Sequence, residues 1–155
     1  MLLNRRAVLI RRHILLPTLL ASSVMFLLSW VWHGLALTDL QELPIPKPLY
    51  FSLAGLVYLV IGLGLTVGIH HSIHMEWISL KTAFPLTSMA VGGAIGFFVY
   101  LVIFVLGMSF AKHDMMHILV DVLWQMFEQA IGGLAVSLGI IYDMHKSYLE
   151  GEKAG

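Results

Sequence analysis

The chain has 155 residues, 59% of them hydrophobic and 12% charged, with a mean hydropathy of +0.87. A soluble domain carries about 25% charged residues, so the composition excludes an ordinary soluble domain and points to a membrane protein. Nine basic and nine acidic residues leave no net charge, which argues against a nucleic-acid partner. With no cysteine present, disulfides, thiolate metal sites and cysteine nucleophiles are excluded.

Residues 1–13 carry Arg5, Arg6, Arg11 and Arg12 before any acidic residue, and an apolar run over 14–37 follows. That run exceeds the roughly 7–15 residues of a secretory signal core and reads as a retained anchor. Pro44, Pro46 and Pro48 predict a stiff, extended link over 38–48. A second span is expected over 49–69 and a polar link over 70–84, with Pro85 suited to the first turn of a third span over 85–110. A short link, 111–114, leads into a fourth span over 115–142, and the charged tail 143–155 is expected to fray.

Each span has the ~20 residues needed to cross a hydrocarbon core ~30 Å thick. Short links make sequential helices antiparallel. The expected fold is therefore all-α, a single polytopic membrane domain built as an up-down four-helix transmembrane bundle. Arg5, Arg6, Arg11, Arg12, Lys81, Lys146 and Lys153 on one side, against Lys47 and Lys112 on the other, put both termini in the cytoplasm. The expected location is the cell inner (plasma) membrane. Trp30 and Trp32 near the outer face and Trp77 near the inner one fit interfacial belts.

Small residues recur in the spans: Gly55, Gly62, Gly64 and Gly68 in the second, Ser88, Gly92 and Gly96 in the third, Gly132, Gly133 and Gly139 in the fourth. Such steps let helix backbones approach closely in lipid. They serve packing within the chain or, above all on the third span, docking of a second copy or another membrane subunit. The bilayer itself is the other expected partner.

The fourth span carries the most costly residues. At 100° per residue Asp114, His117, Asp121, Gln125, Glu128 and Gly132 fall within about a quarter of the helix circumference. Each ionisable group at bilayer depth costs about 2.5–3.5 kcal/mol on insertion scales, which makes such residues functional suspects. The first span has a matching stripe of Ser22, Met25, Ser29 and His33. His33 and Asp121 each sit about 6 Å below the outer end of their helices, and Glu128 about 10 Å deeper. No Lys or Arg lies within any span, so the neutral acid is the expected form of Glu128.

Three readings fit this stripe. It is a satisfied interior network or one buried against a partner. It is a proton path through Asp114, His117, Asp121 and Glu128, with Gln125 and Ser29 in the polar interior. Or it is a cofactor site in which His33, His113, His117 and Asp114 ligate haem b or a divalent metal. His113 and His117 share one helical face by their spacing of four. A second, inner set comprises His70, His71, His74 and His145; histidines at an interface also need no ligand and can collect protons. The His-x-x-His-His run of membrane di-iron desaturases is absent, and no family is identified.

The expected function is a small membrane subunit of a larger, energy-transducing complex, handling protons or a haem or metal cofactor. The alternatives are a stand-alone oligomeric carrier of an ion or small solute, and a metal-dependent membrane enzyme. No catalytic residue is assigned, and the reading favours a non-enzyme.

Overall fold

The computed structural model describes residues 2–36, 44–106 and 115–152, with side chains described from His13 onward except at 103–106, 115 and 117. These residues form four helices and no strand. Helix α1 (Leu2–Trp30) runs into a π-helical turn, Val31–Ala36; α2 is Lys47–His74, α3 Phe84–Leu106 and α4 Met115–Glu152. Three helical segments, His13–Ala36, Lys47–His74 and Phe84–Val102, are long and apolar enough to cross a membrane. Their outward faces expose Leu19, Leu27, Leu56, Val60, Leu86 and Phe98, as lipid-facing helices do. The chain has the make-up of a multi-pass membrane protein.

Helix α4 is not among those three, because its polar stripe dilutes an otherwise apolar sequence. It is nevertheless the hub. It packs most closely on α3 and then on α1, and α2 packs mainly on α1. Successive contacts run in opposite chain directions: Pro17 meets Gly139 while Met25 meets Gly132, and Ser88 meets Gly133 while Gly96 meets Gln125. The α1–α4 and α3–α4 pairs are therefore antiparallel. The same holds for α1 and α2, where Thr18 meets Thr66 and Phe26 meets Tyr58. Met25, Leu65, Ile69 and Val136 are wholly buried at the centre.

Close approach depends on small residues and back-bonded hydroxyls. A Cβ at Gly92 would overlap the backbone of Gln129, and one at Gly133 the carbonyl of Ser88. The Ser88–Gly92–Gly96 ridge is thus occupied by α4 of the same chain rather than offered to a second subunit. Between α1 and α2, Ser22 Oγ donates to the Thr18 carbonyl at 2.7 Å and Thr66 Oγ1 to the Gly62 carbonyl at 2.9 Å. Thr18 Oγ1 donates across the interface to Thr66 Oγ1 at 3.1 Å. Such bonds satisfy hydroxyls where no water is available.

Prolines set the helix starts, with Pro48 in the first turn of α2 and Pro85 in that of α3, positions that need no intrahelical N–H. Helix α2 ends in a Schellman arrangement: Trp77 N–H bonds to the Ser72 carbonyl at 2.9 Å and Glu76 N–H to that of Ile73 at 3.0 Å. Glu76 takes the left-handed position, φ 60°, where glycine is the usual residue. Ile78 and Phe84 tuck into the core and anchor the α2–α3 link.

Several boundaries differ from expectation. Helix α1 begins at Leu2, so residues preceding the first span extend it rather than stand apart. Helix α2 continues to His74, through the three inner histidines. Helix α4 runs past 142 to Glu152; Asp143, 1% exposed, pairs with His13 of α1, residues 144–152 are exposed, and 153–155 lie outside the described residues. Residues 107–110 of the third span and the link 111–114 lie outside the described residues.

Candidate functional site

At the end of the helices that bears the α1–α2 link, α1, α2, α3 and α4 line a half-open cavity of about 450 Å³. Ser29 and His33 enter it from α1 and its π-turn, Tyr50 and Tyr58 from α2, Tyr100 from α3, and Asp121, Trp124 and Gln125 from α4. The rest of the wall is aliphatic, from Leu53, Ala54, Val57 and Ile61. The stripes on the first and fourth spans thus face one space. Among the described residues no lysine or arginine lines it, and its carboxyl group is that of Asp121.

Asp121 is half-buried and accepts a long hydrogen bond, 3.5 Å, from the Tyr100 hydroxyl. Below it, Trp124 stacks on Trp32 with centroids 4.2 Å apart and planes 11° from parallel. This stack ties the π-turn to α4 and closes one side of the cavity floor. A π-helical turn packs more residues into one revolution than an α-turn; here it carries both Trp32 to the stack and His33 to the cavity wall.

Glu128 lies beneath the floor, one α-turn beyond Trp124, and is fully buried. Neither carboxyl oxygen makes a hydrogen bond of good geometry among the described residues. The polar groups beside them are the Tyr58 hydroxyl and the Trp124 indole N–H, and the Ser29 hydroxyl lies beside Tyr58 in turn. A file of polar groups therefore leads from the cavity wall to the buried acid. A carboxyl with so few partners in an apolar interior is costly to bury.

Of the remaining outer residues, His113 and Asp114 lie outside the described residues, and His117 is placed on α4 without a described side chain. The haem or metal site of His33, His113, His117 and Asp114 therefore falls largely outside the described side chains. Among the described residues no group of three or more His, Asp or Glu side chains could hold a metal ion.

The inner histidines do not converge. His70 turns to α1, its Nε2 3.3 Å from the His13 carbonyl oxygen. His71 packs edge-on to Trp77, and His71, His74 and His145 are exposed. The residue that completes the inner polar contacts is His13, whose ring pairs with Asp143; it stands apart from the other histidines in sequence and gave no motif.

Sequence reasoning also missed Tyr58, Tyr100 and Trp124, which read as ordinary membrane aromatics until the fold groups them. Gln129 was missed because it lies off the stripe. It is fully buried against Gly92 and Gly96 of α3, and neither its amide nitrogen nor its oxygen is hydrogen-bonded among the described residues. No family model, curated protein or solved structure matches the chain.

Proposed function

We propose that the chain is a four-helix bundle crossing the inner (plasma) membrane four times, both termini cytoplasmic, that exchanges protons at Glu128 as a small subunit of a larger energy-transducing complex. The antiparallel pairing of α4 with two apolar helices supports a fourth crossing, as does its outward face of Leu119, Leu123, Phe127, Leu138 and Ile141. The excess of basic residues on the inner segments supports the orientation.

One observation carries the functional reading. Glu128 is wholly buried at the end of a polar file that begins in a cavity with no lysine or arginine among its described lining residues. A carboxyl buried at membrane depth is costly, and such residues mark functional sites. The test is proton flux into proteoliposomes under an imposed pH gradient. Glu128→Gln keeps the shape and removes the titrating group, so the expected result is a loss of at least about tenfold with helix content unchanged; flux equal to wild type contradicts the reading.

A second reading, a stand-alone carrier of a small solute, is favoured by the cavity itself. A half-open cleft of about 450 Å³ lies within a single chain, in the size range of small-molecule sites.

A further inference from the structure

We propose that α1 and α2 hold a lipid-borne quinone, its apolar tail in the outward groove between the two helices and its carbonyl-bearing ring at the hydroxyls of Ser29 and Tyr58. The inference goes beyond the proton reading of Glu128 and does not depend on it.

Three adjoining spaces carry it, and Tyr58 lines all of them. The first is the cleft already described, with Ser29 and Tyr58 on its α1–α2 side. The second is a shallow groove of about 510 Å³ on the outside of the α1–α2 pair. Its wall combines the small residues Ser22, Ser23, Ser52 and Gly55 with Leu56 and Leu59. Both leucines are exposed, so the groove opens toward lipid. The third space is a neck of about 10 Å³, room for about one water molecule. It shares Ser29, Ala54 and Tyr58 with the cleft, and Phe26, Phe51 and Tyr58 with the groove.

Aromatic side chains ring the neck: Phe26, Trp30, Tyr50, Phe51 and Tyr58. Phe26 stands edge-on to Tyr58, centroids 6.0 Å apart, and to Phe51 at 6.3 Å. A turn of this one ring widens the passage between groove and cleft.

A partner's helix or the acyl chain of a lipid would account for the groove alone. A long apolar tail carrying a flat polar head accounts for all three spaces. The tail lies in the groove and the ring sits among aromatic faces, where offset and edge-on contacts are favourable. Its carbonyl oxygens accept hydrogen bonds from the Ser29 and Tyr58 hydroxyls, which lie side by side. A quinone carries this combination.

Two glycines of α2 separate the site from the packing. A Cβ at Gly55 or at Gly64 would meet nothing within 4 Å, but of the two only Gly55 lines the groove, and by helical angle they lie on opposite sides of α2. A leucine at Gly55 therefore fills the groove without disturbing the core.

The test titrates the full chain in detergent micelles with decylubiquinone, read by saturable quenching of tryptophan fluorescence. Decylbenzene, a ring and tail without oxygens, is the competitor. Decylubiquinone is expected to bind saturably and to resist displacement by an equal concentration of decylbenzene. Gly55→Leu should weaken binding at least about tenfold, and Gly64→Leu should leave it unchanged. Ser29→Ala and Tyr58→Phe, which keeps the ring, should each weaken it about threefold or more. Absence of saturable binding, equal behaviour of the two glycine variants, or wild-type affinity in both hydroxyl variants overturns the proposal. Displacement by decylbenzene overturns it too, and assigns the groove to an apolar chain. Proton flux through Glu128→Gln is read separately, so failure of the quinone site and failure of the proton reading are distinguishable.

Discussion

His70 Nε2 lies 3.3 Å from the carbonyl oxygen of His13, the carbonyl that Pro17 leaves without a helical donor. Proline lacks the N–H that would bond four residues back, and an unmet carbonyl in a membrane interior is costly. The histidine on α2 supplies the donor that α1 lacks, with Nε2 as the protonated nitrogen. His70→Ala is expected to destabilise the fold by about 1–3 kcal/mol. In a Pro17→Ala background, where the new backbone N–H restores the helical bond, the same change should cost markedly less. A double-mutant cycle by reversible unfolding in mixed micelles measures the coupling; equal costs in both backgrounds remove the link between the two residues.

The end of α2 gives a stabilising prediction. Glu76 occupies a left-handed backbone position at φ 60° and is exposed, so its side chain contributes strain and no packing. Glu76→Gly should raise stability by about 1 kcal/mol, seen as a higher unfolding midpoint. No gain, or a loss, would mean that the carboxylate has a compensating role at the membrane surface.

Neighbouring glycines on α3 should behave differently. A Cβ at Gly92 would run into the α4 backbone, while at Gly93 the nearest atom is the Met126 carbonyl oxygen at 3.5 Å, an ordinary contact. Gly92→Ala is expected to cost about 1–3 kcal/mol through overpacking, and Gly93→Ala close to nothing. Similar effects of the two substitutions on thermal unfolding would place the α3–α4 approach elsewhere.

Removal of Glu128 should separate chemistry from packing. Glu128→Gln preserves volume, so it is expected to unfold near the wild-type midpoint while losing proton exchange. Glu128→Ala opens a void in the interior and should also destabilise by about 2 kcal/mol or more. Wild-type behaviour of both variants in flux and unfolding would remove Glu128 from the account.

Helical periodicity made much of this legible. Asp121, Gln125 and Glu128 share a face by spacing alone, as do Ser29 and His33 once the turn around them is counted, and depth along each helix placed the two sets opposite each other. What spacing could not supply was the third and fourth walls. Tyr58 and Tyr100 reach the site only because α2 and α3 lean on α1 and α4, a consequence of where Gly62 meets Ser22 and Gly92 meets Gln129.

The inner end shows the same limit of spacing. The charged tail is exposed over 144–152, and only Asp143, paired with His13 on α1, is buried. The inner histidines read as a cluster because they are close in sequence, but on a helix His70, His71 and His74 point to different neighbours. The π-turn at Val31–Ala36 has no residue signature that spacing rules detect.

The central claim is that Glu128 exchanges its proton with the outer face through the cavity. Infrared difference spectroscopy on proteoliposomes of uniform orientation measures this directly, since a protonated carboxyl has a carbonyl band that an ionised one lacks. The account predicts a band absent from Glu128→Gln that follows stepwise changes of external pH. A band that is unmoved by external pH, or that persists in Glu128→Gln, would contradict it.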